Sequence, residues 1–140
     1  MKIALCQINT TVGDLEFNKE SILSYYSKAT NLNADIVVFP ELTITGYPPQ
    51  DLLLENGFVD DNLVALNEIA MQSTIPMIFG FVRKENGRLY NSAALCQDGK
   101  IVNTYDKMLL PTYDVFDEDR YFENGKVPAS NMPYNNEDLI

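Results

Sequence analysis

The sequence predicts an α/β fold built around a mixed β-sheet, and three observations support this prediction. Short apolar segments alternate with stretches of helical periodicity over the first 83 residues, and such alternation is typical of parallel strands with helices packed on the sheet. Two hairpin-turn sequences follow, and the antiparallel strands that they join make the sheet mixed. The 140 residues, 46% of them hydrophobic, are about one domain's worth and enough to bury a core.

In the first half of the chain, the pattern predicts two strands and two helices. The mostly apolar residues 2–9 are expected to form a buried strand, and residues 35–39, a β-branched run that ends at a proline, form another. Apolar positions at helical spacing predict helices over residues 17–31 and 58–73. Residues 40–57 are rich in turn residues and predict a long loop that leads into a short helical turn.

In the second half, three strands are predicted to be joined by two tight turns. A strand over residues 76–83 is followed by the hairpin sequence Glu85-Asn86-Gly87-Arg88, and residues 89–97 form the return strand. Asp98-Gly99 marks a second hairpin turn before a last strand over residues 100–105. The successive apolar residues of the second and third strands indicate burial on both faces of the sheet.

The domain organisation is expected to be simple. Residues 1–125 are interpreted as one folded unit, without an internal repeat. Residues 126–140 are rich in Asn and Pro and are expected to form a loop-like or disordered tail.

The composition excludes several classes of function. Twenty acidic residues oppose ten basic ones, and the net charge of −10 argues against binding to nucleic acid or to an anionic membrane. The chain has no histidine, which excludes Ser–His and Cys–His catalysis and most zinc sites, so no metal site is expected. Acid–base chemistry must therefore come from Glu, Asp, Lys, Tyr or Cys.

The two cysteines and the N-terminus favour a reducing, cytoplasmic location. Cys6 and Cys96 lie far apart in apolar runs and fit neither a disulfide framework nor a CxxC site. Free cysteines in such runs are usually core residues. The apolar run at the N-terminus is too short for a transmembrane helix, and no small-residue cleavage site follows it.

Glu41 is the first candidate for a functional residue. It directly follows the second predicted strand and Pro40, and ligands of α/β proteins bind at the carboxyl ends of parallel strands. A partly desolvated carboxylate at that place can act as a general base. The local pattern is also compatible with a surface residue at a strand end or with a helix cap.

Lys107 is the second candidate. It ends the last predicted strand and enters an apolar stretch, where a lysine can be held charged and aimed at developing negative charge. A lysine that extends from a strand end into solvent explains the same pattern. The acidic run from Asp114 to Asp119 fits a solvated loop better than a metal site, because it lacks the spacing and the glycine of an EF-hand.

Four segments carry a family resemblance that covers residues 1–125. They are KIALCQINTTVGDLEFN, FPEL…TGYPPQDLL, GRLYNSAALCQDGKIVNTYDK and YDKMLLPTYDVFDEDRYF. Together they resemble the nitrilase superfamily of carbon–nitrogen hydrolases and, within it, the N-terminal glutaminase domain of glutamine-dependent NAD⁺ synthetases. The resemblance implies a nitrilase-type αββα sandwich, of which 140 residues would supply about one half, and it makes residues 1–125 the N-terminal part of such a domain.

The resemblance also implies roles for five residues. Glu41 corresponds to the family glutamate that deprotonates a cysteine thiol, and Lys107 to the lysine that stabilises the tetrahedral oxyanion. Glu118, in the E-x-x-Y-F element, corresponds to a second glutamate that helps to position the lysine. Tyr47 and Tyr113 correspond to aromatic residues expected to line the path of glutamine or ammonia. Each of the three charged residues ends or follows a strand, so we expect them to cluster at one sheet edge.

The reaction implied by the resemblance is cysteine attack on the side-chain amide of glutamine, followed by release of ammonia and hydrolysis of the thioester. The amidase domain itself needs no cofactor. The ammonia serves a C-terminal synthetase domain, where ATP and Mg²⁺ are expected and where deamido-NAD⁺ is amidated. The full-length protein is expected to be a homo-oligomer.

The sequence departs from the family pattern at two places. Many nitrilases have histidine two positions after the lysine, where this chain has Leu109, although some synthetase relatives share that form. The family nucleophile lies tens of residues after the lysine, and this chain has no cysteine beyond Cys96. The chain is therefore expected to be an inactive fragment. Two alternatives remain open at this point: a short, non-catalytic homologue that acts as a binding module, and a fragment of a different nitrilase-type amidase.

Overall fold

The computed structural model describes residues 1–126 and shows one five-stranded sheet with two α-helices. The helices are α1 and α2, and two short 3₁₀ helices lie in the connections. In chain order the elements are β1 (Ile3–Leu5), α1 (Leu15–Asn31), β2 (Ile36–Val38), the 3₁₀ helix Gln50–Leu54, α2 (Phe58–Met71), β3 (Met77–Glu85), β4 (Arg88–Gln97), β5 (Lys100–Asp106) and the 3₁₀ helix Glu118–Arg120.

The sheet is mixed, as the sequence predicts, and its strands lie in the order in which they occur along the chain. β1 and β3 pair in parallel with the two edges of β2, and β3, β4 and β5 pair antiparallel. The β3–β4 hairpin turns at Asn86 and Gly87, whose φ angles are 51° and 77°. Asp98 and Gly99 turn the second hairpin with φ angles of 51° and 73°. Both turns thus have the two positive φ angles that Asn-Gly and Asp-Gly favour.

The main core lies between one face of the sheet and the two helices. Ile22 of α1, Ile69 of α2 and Phe79 of β3 have no exposed surface. α2 buries the apolar positions expected from its helical spacing, whereas α1 buries Ile22, Tyr26 and Ala29 but leaves Phe17 and Tyr25, which share the predicted apolar spacing, exposed. A fully buried side chain of this size contributes about 2 kcal/mol relative to an exposed one. The buried Asn18 ties α1 to the loops on either side by accepting from the Thr11 amide and donating to two carbonyl oxygens.

The opposite face of the sheet is only partly covered. A second apolar cluster covers its β3 end and consists of Leu42, Leu53, Val59, Val82 and Phe122. Towards β1 and β5 the same face is open: Leu5 is 72% exposed and Tyr105 is 58% exposed.

The structure corrects the sequence predictions in two places. The first strand is three residues long rather than eight, and it is not buried, because Ile3 and Leu5 point to the open face and only Ala4 packs against the core. Burial on both faces is likewise wrong for part of β2 and β3, where Val38 and Ile78 remain half-buried. The other elements agree with prediction to within a few residues.

Most of the predicted tail, residues 126–140, lies outside the described part of the chain, which ends at Lys126. Among the helices of residues 1–126, none is long and apolar enough to cross a membrane.

Candidate functional site

The loop after β2 places Glu41 on the open face of the sheet, above β3. Two hydrogen bonds hold the loop to Gly80: the Gly80 amide donates to the Pro40 carbonyl at 3.2 Å, and the Ile44 amide donates to the Gly80 carbonyl at 3.2 Å. The loop lies so close to the strand that a Cβ atom on residue 80 would fall 2.7 Å from the carbonyl carbon of Glu41 and closer still to the amide of Leu42. Glycine is therefore required at this crossing.

The end of β5 places Lys107 beside this loop. The Lys107 amide donates to the Asn91 carbonyl of β4 at 2.8 Å, and the Gly125 amide donates to the Lys107 carbonyl at 2.9 Å. One residue earlier, Asp106 accepts two hydrogen bonds from the Arg83 guanidinium, at 2.8 and 2.5 Å, and one from the Ser92 hydroxyl. The backbone of Lys107 is thus held by β4 on one side and by the segment at Gly125 on the other.

Glu118 reaches the site from the 3₁₀ helix Glu118–Arg120. Its amide donates to the Pro111 carbonyl at 3.2 Å, and its carbonyl accepts from the Phe122 amide at 2.9 Å. The side chain is only 5% exposed. A buried carboxylate needs a charged or hydrogen-bonding partner, because desolvation of an unpaired charge is costly.

The structure brings Glu41, Lys107 and Glu118 together. The Lys107 Nζ atom lies 2.7 Å from Glu41 Oε1 and 3.1 Å from Glu118 Oε1, although 66 and 11 residues separate the partners in sequence. Glu118 Oε2 lies 3.0 Å from the same Nζ, which makes an ion pair. Its only partner among the described residues is this ammonium group, and the contact is an ion pair rather than a well-aligned hydrogen bond. The buried carboxylate of Glu118 is therefore compensated by the Lys107 ammonium through both of its oxygens.

The surroundings keep Lys107 charged. Burial acts to lower the pKa of Lys107, but the hydrogen bonds to Glu41 and Glu118 outweigh it, and the net pKa is raised above that of a free lysine. Burial and the hydrogen bond to Glu118 raise the pKa of Tyr47 as well. At neutral pH the site therefore holds an ammonium group, whose third proton can be donated to an anionic oxygen, and a neutral phenol, whose only proton is donated to Glu118.

Tyr47 and Tyr113 occupy different environments. The Tyr47 hydroxyl donates to Glu118 Oε1 at 2.8 Å and lines a cavity of about 370 Å³ together with Phe116. Tyr113 is 70% exposed and does not line this cavity, but its ring packs edge-on against Phe116 with a centroid distance of 5.7 Å. A second cavity of about 240 Å³ lies over the sheet and is bordered by Glu41 and Lys107. Glu118 borders the first cavity, whereas Glu41 and Lys107 border the second.

Asn91 belongs to the site but was not among the residues predicted from the sequence. Its Nδ2 atom donates to Glu41 Oε1 at 2.5 Å, and its side chain is 4% exposed. The sequence feature that points to Asn91 is the polar pair Asn91-Ser92 within a largely apolar predicted strand. The sequence alone, however, does not show which face of the sheet carries Glu41, and so does not show that this asparagine lies beside it.

Neither cysteine belongs to the site. Cys6 and Cys96 are buried in the core on the helix-covered side. Burial raises the pKa of both thiols, that of Cys96 to about 11, so neither is a thiolate nucleophile at neutral pH. The arrangement supplies a carboxylate base and a fixed ammonium group to an adjacent cavity but, among the described residues, no nucleophile. The groups present suit attack on a carbonyl carbon, where negative charge develops on oxygen.

The chain is similar in sequence to carbon-nitrogen hydrolases and to glutamine-dependent NAD(+) synthetases. The family model for carbon-nitrogen hydrolases matches residues 2–134. The chain is 41% identical over 125 residues to the glutamine-dependent NAD(+) synthetase of Acinetobacter baylyi, covering 89% of this chain and 23% of that protein. It is 43% identical over 129 residues to the glutamine-dependent NAD(+) synthetase of Synechocystis, and the match covers 86% of this chain and 23% of that protein.

Solved structures are similar over the same region. A glutamine-dependent NAD⁺ synthetase from Acinetobacter baumannii superimposes with a TM-score of 0.85 at 37% identity, covering 89% of this chain and 24% of that one. An amidase from Nesterenkonia superimposes with a TM-score of 0.79 at 25% identity, and the match covers 91% of this chain and 49% of the amidase. The chain thus spans less than a quarter of the length of the curated synthetases that it matches.

Proposed function

The chain belongs to the carbon-nitrogen hydrolase family, and from that premise we propose that it is part of a glutamine-hydrolysing domain that supplies ammonia for NAD⁺ synthesis. The similarity to glutamine-dependent NAD⁺ synthetases over nearly the whole chain supports this assignment. In the proposal, ammonia passes to a C-terminal synthetase domain, which uses ATP and Mg²⁺ to amidate deamido-NAD⁺.

One observation carries the proposal: a charged lysine is held between two carboxylates beside a cavity. In the proposed reaction, Glu41 accepts the thiol proton of a cysteine that a longer form of the protein supplies. The thiolate attacks the side-chain amide carbon of glutamine, and the oxygen that becomes negative lies against the Lys107 ammonium.

The remaining steps need no further group from this chain. Glu41 returns its proton to the departing nitrogen, so that ammonia leaves and a thioester remains. Water then hydrolyses the thioester with Glu41 again acting as the base, which yields glutamate and the free thiol. Glu118 holds Lys107 in place throughout, because its carboxylate accepts from Nζ and from the Tyr47 hydroxyl. Tyr47 and Phe116 border the proposed glutamine or ammonia path, and the Tyr113 ring packs edge-on against Phe116.

Ammonia release from L-glutamine, followed by a coupled assay, tests the proposal. The product of the complete gene should hydrolyse glutamine, whereas the 140-residue chain should release no more ammonia than its Glu41→Ala variant, because thiolate attack is the chemical step and no suitable cysteine is present. Two results would contradict the proposal: no hydrolysis by the complete product, or release by the 140-residue chain above its Glu41→Ala control.

A further inference from the structure

We propose that Asn91 is a positioning residue that fixes the Glu41 carboxylate through one oxygen and leaves the other oxygen to receive the proton. This inference rests on the proposed function, because the choice between the two oxygens matters only if Glu41 acts as a base.

Asn91 contacts both partners of the Glu41–Lys107 ion pair. Its side-chain amide donates to Glu41 Oε1 at 2.5 Å, and its backbone carbonyl accepts from the Lys107 amide at 2.8 Å. Asn91 also lies on β4, which is paired on both sides: its partner on β3 is Val82, and the next residue, Ser92, pairs with Asp106 of β5. One buried residue of a central strand thus sets the distance between a loop carboxylate and a strand-end ammonium.

The two oxygens of the Glu41 carboxylate differ in their hydrogen bonds. Oε1 accepts from both Asn91 Nδ2 and Lys107 Nζ. Among the described residues, no hydrogen bond to Oε2 is found, and the Glu41 side chain is 45% exposed towards the adjoining cavity. An oxygen that already accepts two hydrogen bonds is a poor proton acceptor, because protonation would break at least one of them. Oε2 is therefore the oxygen that faces an incoming thiol.

An asparagine suits this position because its amide donates without carrying a charge. A second cation beside Glu41 would stabilise the carboxylate further and weaken it as a base. An apolar side chain of the same size would leave Glu41 tied only by Lys107, free to rotate about its side-chain bonds and to move into the solvent.

Lysine acylation in the product of the complete gene tests this role without requiring turnover. The protein is treated briefly with an amine-acylating reagent at neutral pH, and peptide mass spectrometry gives the extent of labelling of Lys107 relative to that of the exposed Lys100. In Asn91→Leu, we expect relative labelling of Lys107 to rise by about tenfold, the order of magnitude for one lost hydrogen bond to a charged group. Release of Glu41 lowers the Lys107 pKa and uncovers its Nζ atom.

Cys96→Ser is the matched control, because it disturbs a fully buried residue of the same strand on the face away from the site. Lys107 labelling should stay within about twofold of the unmodified protein in this variant, a change equivalent to well under one hydrogen bond. Unchanged labelling in Asn91→Leu, or an equal rise in Cys96→Ser, would overturn the positioning role and leave the proposed function standing. Loss of the proposed function would instead show as an absence of glutamine hydrolysis with Asn91-dependent labelling intact.

Discussion

At the scale of single residues, the site depends on Lys107 because it pairs with two carboxylates from distant parts of the chain. An exposed ion pair contributes little to stability. The Lys107–Glu118 pair differs, since Glu118 is 5% exposed and its charge has no other cationic partner among residues 1–126. Lys107 therefore has both a structural role and the proposed catalytic one, and the two can be separated by mutation.

Replacement of Lys107 by methionine should destabilise the fold, because it leaves the buried Glu118 carboxylate uncompensated. Since Lys107 is itself about one-third exposed, we expect the free energy of unfolding to fall by about 2 kcal/mol. This loss is smaller than the loss on breaking a fully buried ion pair. In the product of the complete gene this should appear as a decrease of several degrees in the domain's thermal midpoint. The double variant Lys107→Met/Glu118→Gln should recover most of the loss. A double variant that is less stable than Lys107→Met would show that the charge of Glu118 is not what the lysine compensates.

The residues of the site were predictable to different degrees. Glu41, Lys107 and Glu118 each stand at the end of a strand or in a specific family motif, so the sequence identifies them individually. Asn91 could not be found in this way, because its role depends on which β4 residue lies beside the Glu41 loop. The two-residue turn at Asn86-Gly87 pairs Asn91 with Val82, but the face of the sheet over which the Glu41 loop lies is set by tertiary packing and is not encoded in the local sequence.

At the scale of elements, the local sequence predicted the turns correctly, but it did not predict which strands lie at the edge of the sheet. The Asn86-Gly87 and Asp98-Gly99 turns follow from residues that tolerate positive φ, so both hairpins could be predicted. The burial of β1 could not, because an apolar run looks the same in a central strand and at the edge of a sheet. Whether Ile3 and Leu5 are covered depends on what packs on the open face.

Gly80 provides a prediction at this scale, since β3 can carry the Glu41 loop only if residue 80 has no side chain. Gly80→Ala should push the loop away from the strand, which would break its two backbone hydrogen bonds and displace Glu41 from Lys107. In the product of the complete gene we expect glutamine hydrolysis to fall by at least about 100-fold, the size of effect seen when a catalytic group is misplaced by about 1 Å.

Gly87→Ala is the matched control. Gly87 has a φ of 77°, and no atom lies within 4 Å of the position where its Cβ would be, so this substitution costs only backbone strain, about 1 kcal/mol. Its effect should be confined to stability, and hydrolysis at 25 °C should stay within about twofold. Equal losses of activity in the two variants would mean that the loop crossing at Gly80 does not position Glu41.

At the scale of the whole molecule, the main structural feature is the open face of the sheet. Leu5, Val38, Ile78 and Tyr105 lie on this face and are half-buried or exposed. A contiguous apolar patch of several hundred Å² is unusual on a soluble monomer. The family resemblance implies a sandwich in which a second sheet covers such a face.

The isolated 140-residue chain should therefore associate or be partly molten. Leaving about 400 Å² of apolar surface uncovered forfeits on the order of 10 kcal/mol, which is as large as the stability of a typical domain. The net charge of −10 opposes precipitation but supplies no contacts. Size-exclusion chromatography with light scattering, combined with a thermal melt, checks this expectation. A sharp cooperative transition from a strictly monomeric 15.8 kDa species would contradict it.

We propose that Glu41, Lys107 and Glu118 form the acid–base and oxyanion machinery of a glutaminase that serves NAD⁺ synthesis. The most direct test is the rate of NAD⁺ formation by the product of the complete gene, measured once with L-glutamine and once with an ammonium salt as the nitrogen source. Glu41→Gln keeps the size of the side chain and its contact with Lys107 but removes the base. Glutamine-dependent formation should therefore fall by about 100-fold to 10,000-fold, while ammonium-dependent formation should remain within about twofold. Equal rates with glutamine in the unmodified and Glu41→Gln proteins, or equal losses with both nitrogen sources, would contradict the claim.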